Sequence, residues 1–124
     1  MPEWMIAPPI AATDTDGVLT VTAAKGSDFW RKTHYDFIHD NGHLYAEPLT
    51  GDFVAQVTFT GNYRNEYDHA GLMVWVDETS WMKTGVEFTE GGYFASAVVT
   101  RDYSDWAVAP LVEFGGTFTV RLTR

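Results

Sequence analysis

Lys83 and Glu87 lie four residues apart in WMKTGVEF (residues 81–88), with Trp81 two positions before the lysine. Successive side chains on a strand point to opposite faces. Trp81, Lys83, Gly85 and Glu87 therefore share one face, and Met82, Thr84, Val86 and Phe88 form a core face opposite. An indole, an ammonium and a carboxylate in one row are the groups that stack on a flat ligand and hold its polar edge. Residues four apart on a strand are separated by about 13 Å, so Lys83 and Glu87 do not pair along it. Each requires a partner from another strand, a loop or a ligand.

Other chemistries are weaker on the same residues. Hydrolysis of a glycosidic bond needs two carboxyl groups about 5 to 10 Å apart. The residues two and four positions from Glu87 are Gly85, Thr89, Lys83 and Gly91. A second carboxylate must then come across strands, with Asp68, Asp77 and Asp105 the ones to check. Glu87 would be the acid or base of such an enzyme, assisted by His69 or Asp68, but no residue is assigned a catalytic role.

Histidines 34, 39, 43 and 69 raise the question of a metal. His39 and His43 flank the Asp-Asn-Gly turn of an expected hairpin, YDFIHDNGHLYAEP, and would face each other across it. Zinc needs three or four converging ligands, and nothing else converges on that pair. Neither a metal site nor a cofactor is expected. DTDG (14–17) resembles the start of a calcium loop, but loop position 12 is Lys25 rather than Glu, so it reads as a hairpin turn. No nucleophile elbow, phosphate loop or dinucleotide fingerprint is present.

The elements that position these residues read as strands throughout. Turn signals recur at DTDG, DNG (40–42), TGD (50–52), GNYRNEYD (61–68), DETS (77–80), EGG (90–92), RDYSD (101–105) and FGG (114–116). Between them lie short runs rich in Val, Phe, Tyr, Trp and Thr. In GDFVAQVTFTG, Phe53, Ala55, Val57 and Phe59 share a face; in VEFGGTFTVRL, Phe118, Val120 and Leu122 do. The hairpin-length connection at 77–80 predicts that strands 71–77 and 81–88 are antiparallel neighbours. Leu72, Val74 and Val76 must then lie on the face of Met82, Val86 and Phe88, with Met73 and Trp75 on that of Trp81, Lys83 and Glu87. Many short strands with frequent turns predict an antiparallel sandwich or barrel.

Composition narrows the classes. The chain has 124 residues, 45% hydrophobic and 15% aromatic, and is expected to form a single domain over 1–124. It has no cysteine, which removes disulfides and thiolate chemistry. Its formal net charge is −9, with no cluster of Lys and Arg, so nucleic acid and anionic membranes are poor partners. MPEWMIAPPIAA lacks the pattern of a secretory leader, and no apolar stretch approaches the ~20 residues that span a bilayer. The expectation is a soluble cytoplasmic protein.

Five stretches occur in order: SDFWRKTHYDF (27–37), GDF (51–53), YDHAGLMV (67–74), WMKTGVEF (81–88) and SAVVTRDYSDW (96–106). Together they resemble the concanavalin A-like sandwich family labelled "regulation of enolase". The resemblance implies a jelly-roll β-sandwich with a concave sheet face. It also implies a link to sugar metabolism and a fungal enolase partner. The family's polar and aromatic positions fall on Asp28, Trp30, Arg31, Asp68, Trp81, Lys83, Glu87, Ser104, Asp105 and Trp106, and His69 stands where the family commonly has Gln. Members continue past the segment matching 116–124 with further strands. A C-terminally shortened sandwich would leave an open edge and uncovered core, which leads to the expectation of a homo-oligomer, most simply a dimer.

The ligand-binding set nominated by these arguments is Trp30, Arg31, Asp68, His69, Trp75, Trp81, Lys83, Glu87, Asp105 and Trp106. The first function expected is a non-enzymatic carbohydrate-binding or carbohydrate-sensing module, with Trp75, Trp81 and Trp106 as stacking platforms. The alternative is a protein–protein interaction module with a glycolytic, enolase-type partner. A glycoside hydrolase stands behind both.

Overall fold

The computed structural model describes residues 1–124. The fold is the all-β, antiparallel sandwich type that the strand pattern predicts, and no helix interrupts it. No helix is long and apolar enough to cross a membrane. The chain's contacts gather in two compact units, Met1–Leu49 and Thr50–Arg124.

The first unit holds three strand pairs. β1 (Glu3–Ile6) pairs with β6 (Leu44–Ala46), β2 (Ala11–Thr15) with β3 (Val18–Thr22), and β4 (Phe29–Arg31) with β5 (Ile38–Asp40). Asp16 and Gly17 close the β2–β3 hairpin with φ of 54° and 76°, as a two-residue turn with both central residues left-handed requires. The DNG segment behaves differently from the expectation. It joins β5 to β6, which pair with β4 and β1 rather than with each other. His39 instead packs its ring against Phe37 at 4.5 Å. His43 accepts the Ala24 N–H at Nε2 (2.9 Å) and donates from Nδ1 to the Ala7 carbonyl. A ring that ties three segments in this way is a structural crosslink.

The second unit contains β7 (Val54–Thr60), β8 (His69–Asp77), β9 (Ser80–Thr89), β10 (Gly92–Arg101), β11 (Tyr103–Pro110) and β12 (Thr117–Thr123). Its four-stranded sheet runs in the order β11-β10-β9-β8, and β12 pairs with β7. β7 and β12 alternate strictly between exposed and half-buried positions. Phe59, Val57 and Ala55 face inward opposite Phe118, Val120 and Leu122, the faces read from sequence. β12 lies against β8 and β9, and β7 against β8. Val86 and Val98 are fully buried in this unit.

β8 and β9 are antiparallel neighbours, with Leu72 opposite Thr84 and Val74 opposite Met82. Val76 departs from the expected face. The register shifts between Trp75 and Asp77, and Val76 is 71% exposed. An extra residue in one strand breaks the two-residue alternation at that point. The adjoining turn is held by Asp77, whose carboxylate accepts the Thr79 N–H (2.9 Å) and hydroxyl (3.0 Å). The Thr79 N–H, followed by its hydroxyl, holds the Asp77 carboxyl below its usual 3.8. A carboxyl whose value is lower when folded stabilises the fold above its unfolded value and loses that contribution as pH falls through the folded one. Asp77→Asn is therefore expected to flatten the melting-temperature profile below about pH 4, read by thermal denaturation across pH.

An aromatic cluster fills the other end of the unit. Tyr93 meets Tyr63 at 5.7 Å, Phe88 at 5.4 Å and Phe114 at 5.2 Å. The Tyr63 hydroxyl is buried without a hydrogen-bond partner, and burial, then Tyr93, pushes its pKa up. A buried hydroxyl with no partner carries its desolvation cost uncompensated. Tyr63→Phe is expected to raise stability by about 1 kcal/mol, measured by urea unfolding; a loss of stability would show that the hydroxyl is paired.

Candidate ligand-binding face

Registers across β8, β9, β10 and β11 define rows on one sheet face. One row runs His69–Glu87–Phe94–Pro110 and the next Gly71–Gly85–Ser96–Val108. Then come Met73–Lys83–Val98–Trp106 and Trp75–Trp81–Thr100–Ser104. The sequence-derived row of Trp81, Lys83 and Glu87 is thus joined by His69, Trp75 and Trp106 from neighbouring strands.

Glu87 is the centre of this face. It is only 7% exposed. Its Oε1 accepts the Ser96 hydroxyl at 3.0 Å and the Trp106 indole N–H at 2.8 Å, leaving Oε2 outside both bonds. Lys83 does not turn toward it. The Lys83 ammonium donates to His69 Nε2 at 3.1 Å and lies 5.7 Å from the Trp81 ring centroid. His69 Nδ1 donates to the Tyr67 carbonyl at 2.6 Å, which leaves Nε2 as the acceptor that a lysine ammonium requires. Tyr67 precedes β8, while Trp106 belongs to β11, yet their rings meet edge to face at 6.2 Å. The pair therefore meets above the intervening β9 and β10, where Glu87 and Ser96 stand.

Between the Glu87 and Lys83 rows, the face is bare backbone. Gly71 and Gly85 are directly opposite each other. A Cβ on Gly85 would collide with the Ala70 carbonyl oxygen and lie 2.7 Å from the Gly71 Cα. A Cβ on Gly71 would meet the Thr84 carbonyl in the same way. Paired glycines inside a sheet mark a close backbone approach. Here they leave room for the Lys83 side chain to cross from its own row to His69, beside Glu87, with the Ser96 hydroxyl at the end of the glycine row.

Several nominated residues have other roles. Trp81 is 4% exposed, so its indole is a packing element and offers no open stacking surface. Asp105 pairs with Val99, on the face opposite Trp106, because consecutive strand residues point to opposite sides. Asp68 caps the preceding loop, its Oδ2 accepting the N–H groups of Arg64 and Asn65 at 2.9 Å each. With Asp77 in its turn, none of the three acids considered as a glycosidase partner shares the Glu87 row. Trp30 and Arg31 belong to the first unit and are both buried. There the Trp30 indole donates to the Thr33 carbonyl at 2.9 Å, steadying the β4–β5 loop. Sequence reading missed Ser96, Tyr67 and the paired glycines. The alternation Ser96, Val98, Thr100 carries the signal for Ser96 once the β9–β10 register is known. The Glu90–Gly91 turn, left-handed at both residues, supplies that register. A depression among Ala95, Ala97, Ala107 and Ala109 is also lined by Thr84, whose hydroxyl donates to the Ser96 carbonyl at 2.9 Å.

A β-sandwich with a Glu87–Ser96–Trp106 cluster beside a Lys83–His69 pair on one sheet face defines the class of protein. The family described as "Protein of unknown function (DUF1349)" matches residues 4–124, and the chain belongs to it. Among curated relatives, "Regulation of enolase protein 1" of Saccharomyces cerevisiae is 37% identical over 107 residues, covering 86% of this chain and 54% of the relative. "Uncharacterized protein AN7484" of Emericella nidulans is 31% identical over 110 residues, covering 85% and 55%. The chain thus spans about half the length of the curated relatives it matches. A crystal structure of a functionally unknown protein from Saccharomyces cerevisiae superposes with a TM-score of 0.93 at 34% identity, covering 99% of this chain and 66% of the other.

Proposed function

We propose that the Glu87–Lys83 face binds carbohydrate, making this a binding or sensing module rather than an enzyme. The observation that supports it most is the polar group gathered at the Glu87 row, with Glu87 Oε2 as acceptor and the Lys83 ammonium, held at His69, as donor. Sugars present hydroxyls that both donate and accept, and an apolar ring face suited to the Tyr67 and Trp106 rings. Polar groups withdrawn from water discriminate strongly among hydroxyl patterns, because an unmatched partner leaves them unsatisfied. The test is calorimetric titration with simple hexoses at millimolar concentration. Saturable heat that disappears in a Lys83→Met/Glu87→Gln variant of unchanged fold is the expected result. Absence of heat with every sugar overturns the reading.

The name of the yeast relative, "Regulation of enolase protein 1", favours a second reading, in which the same face meets a glycolytic enzyme. Tyr, Trp and buried charge are also what protein hot spots contain. Capture of purified enolase by the wild type, lost in that double variant, would replace sugar binding as the primary function. The proposal extends to a cytoplasmic, homodimeric protein. The net charge of −9 opposes disordered association, and β11, at the edge of its sheet, offers the strand on which two copies could join. Light scattering at micromolar concentration distinguishes dimer from monomer.

A further inference from the structure

Resting on the homodimer reading, we infer that two copies join along β8, antiparallel about a two-fold axis at Met73, with each copy's Trp75 covering the other's Gly71. β8 is an end strand, hydrogen-bonded within its sheet to β9 alone. The Phe88 N–H donates to the Asp68 carbonyl at 2.8 Å, which makes Asp68–Phe88 a hydrogen-bonded pair. Such pairs alternate along an antiparallel ladder, so Ala70–Val86, Leu72–Thr84 and Val74–Met82 follow in step. Gly71, Met73 and Trp75 therefore turn their backbone N–H and C=O groups away from β9, toward the open edge. Natural edges are blunted by lysine, proline or other charges, yet AGLMVWV (70–76) contains none of these. Ala70 and Gly71 are exposed, and Val76 is 71% exposed. An apolar edge of this kind is a template for an added strand. The opposite edge, β11, offers less: Pro110 has no N–H to give, and Ser104 and Trp106 have other partners.

The complementarity of β8 with itself identifies the added strand as a second copy. With the axis at Met73, Gly71 stands opposite the partner's Trp75 and Leu72 opposite the partner's Val74. An indole facing a glycine shields backbone that has no side chain of its own. The antiparallel direction brings the His69 end of one strand to the Asp77 end of the other and keeps the two Asp77 carboxylates apart. A two-fold contact of this type closes on itself and adds no third copy. It also extends the Gly71–Gly85–Ser96–Val108 row by the partner's Trp75, so that the second copy contributes an indole to the border of the ligand face.

The chain has no cysteine, so a single introduced thiol can bridge only to another copy. Residues opposite each other in a hydrogen-bonded pair stand about 5.5 Å apart at Cα, within the range a disulfide spans. Under mild oxidation at micromolar concentration, Met73→Cys is expected to run mostly as covalent dimer on a denaturing gel. Trp75→Cys, about 13 Å from its counterpart along the paired strands, should stay single. Met73→Lys places two ammonium groups across the axis and should weaken dimerisation at least about tenfold, read by light scattering. A wild type that stays monomeric across micromolar concentrations overturns both the homodimer reading and this inference. A dimer bridged by Val108→Cys on β11 and not by Met73→Cys overturns the β8 assignment and leaves the homodimer standing, as does a dimer that neither thiol bridges. Should Met73→Lys not fold, the thiol pair decides alone.

Discussion

Gly85→Ala is expected to destabilise the protein by about 3 kcal/mol or more, a large share of the 5–15 kcal/mol that holds a typical domain folded. The new methyl group has nowhere to go. It meets the Ala70 carbonyl and the Gly71 Cα across the strand pair, and these are backbone atoms that no rotamer change can move. Relief requires the end strand β8 to separate from β9 along their whole pairing. Gly92→Ala is the control, since its Cβ would lie 3.6 Å from a Phe94 ring carbon, an ordinary contact. Urea unfolding should show Gly92→Ala within about 1 kcal/mol of the wild type and Gly85→Ala far below it. Equal midpoints would mean that the strands are not pressed together at this pair.

Trp81→Ala is the second large effect, expected at about 3 to 5 kcal/mol. At 4% exposure, the indole is interior volume, and removing it leaves a cavity that the neighbouring strands fill only partly. The loss should appear in the unfolding midpoint, and any change in ligand affinity should follow from the lost fold. Trp81→Phe, which keeps most of the ring volume, should recover more than half of the stability. If Trp81→Ala instead left stability intact, the indole would be the open stacking platform that the sequence suggests.

That contrast illustrates how far alternation carries. It identified the faces of β7 and β12, and it placed Trp81, Lys83 and Glu87 in one row, because a half-buried strand writes its two faces directly into its residues. The hairpin at 77–80 was equally legible from its length. Alternation does not reveal whether a face is covered, and so an interior indole looked like a binding platform. It fails wherever an extra residue enters a strand, as at Val76. The grouping of Asp105 with Trp106 took motif proximity for spatial proximity, although adjacent strand residues diverge. The His39–His43 hairpin failed for a different reason: β5 pairs back with the preceding β4, and β6 with the distant β1, which no signal in the DNG turn discloses. Ser96 and Trp106 reach Glu87 only through the combined registers of three strands, fixed by turn geometry rather than by residue type.

The central claim is that the Glu87 face receives a sugar beneath the Tyr67 and Trp106 rings. The Trp106 indole N–H, bonded to Glu87 Oε1 at 2.8 Å, is a reporter built into that site. Its proton resonance, followed by NMR during titration with glucosamine and glucose, tests the claim most directly. A saturable shift of the Trp106 signal is the predicted result, with the Trp4 indole, packed on Tyr45 in the first unit, unchanged. A Trp106 resonance that stays fixed while sugar reaches millimolar excess, or a shift confined to Trp4, would contradict it.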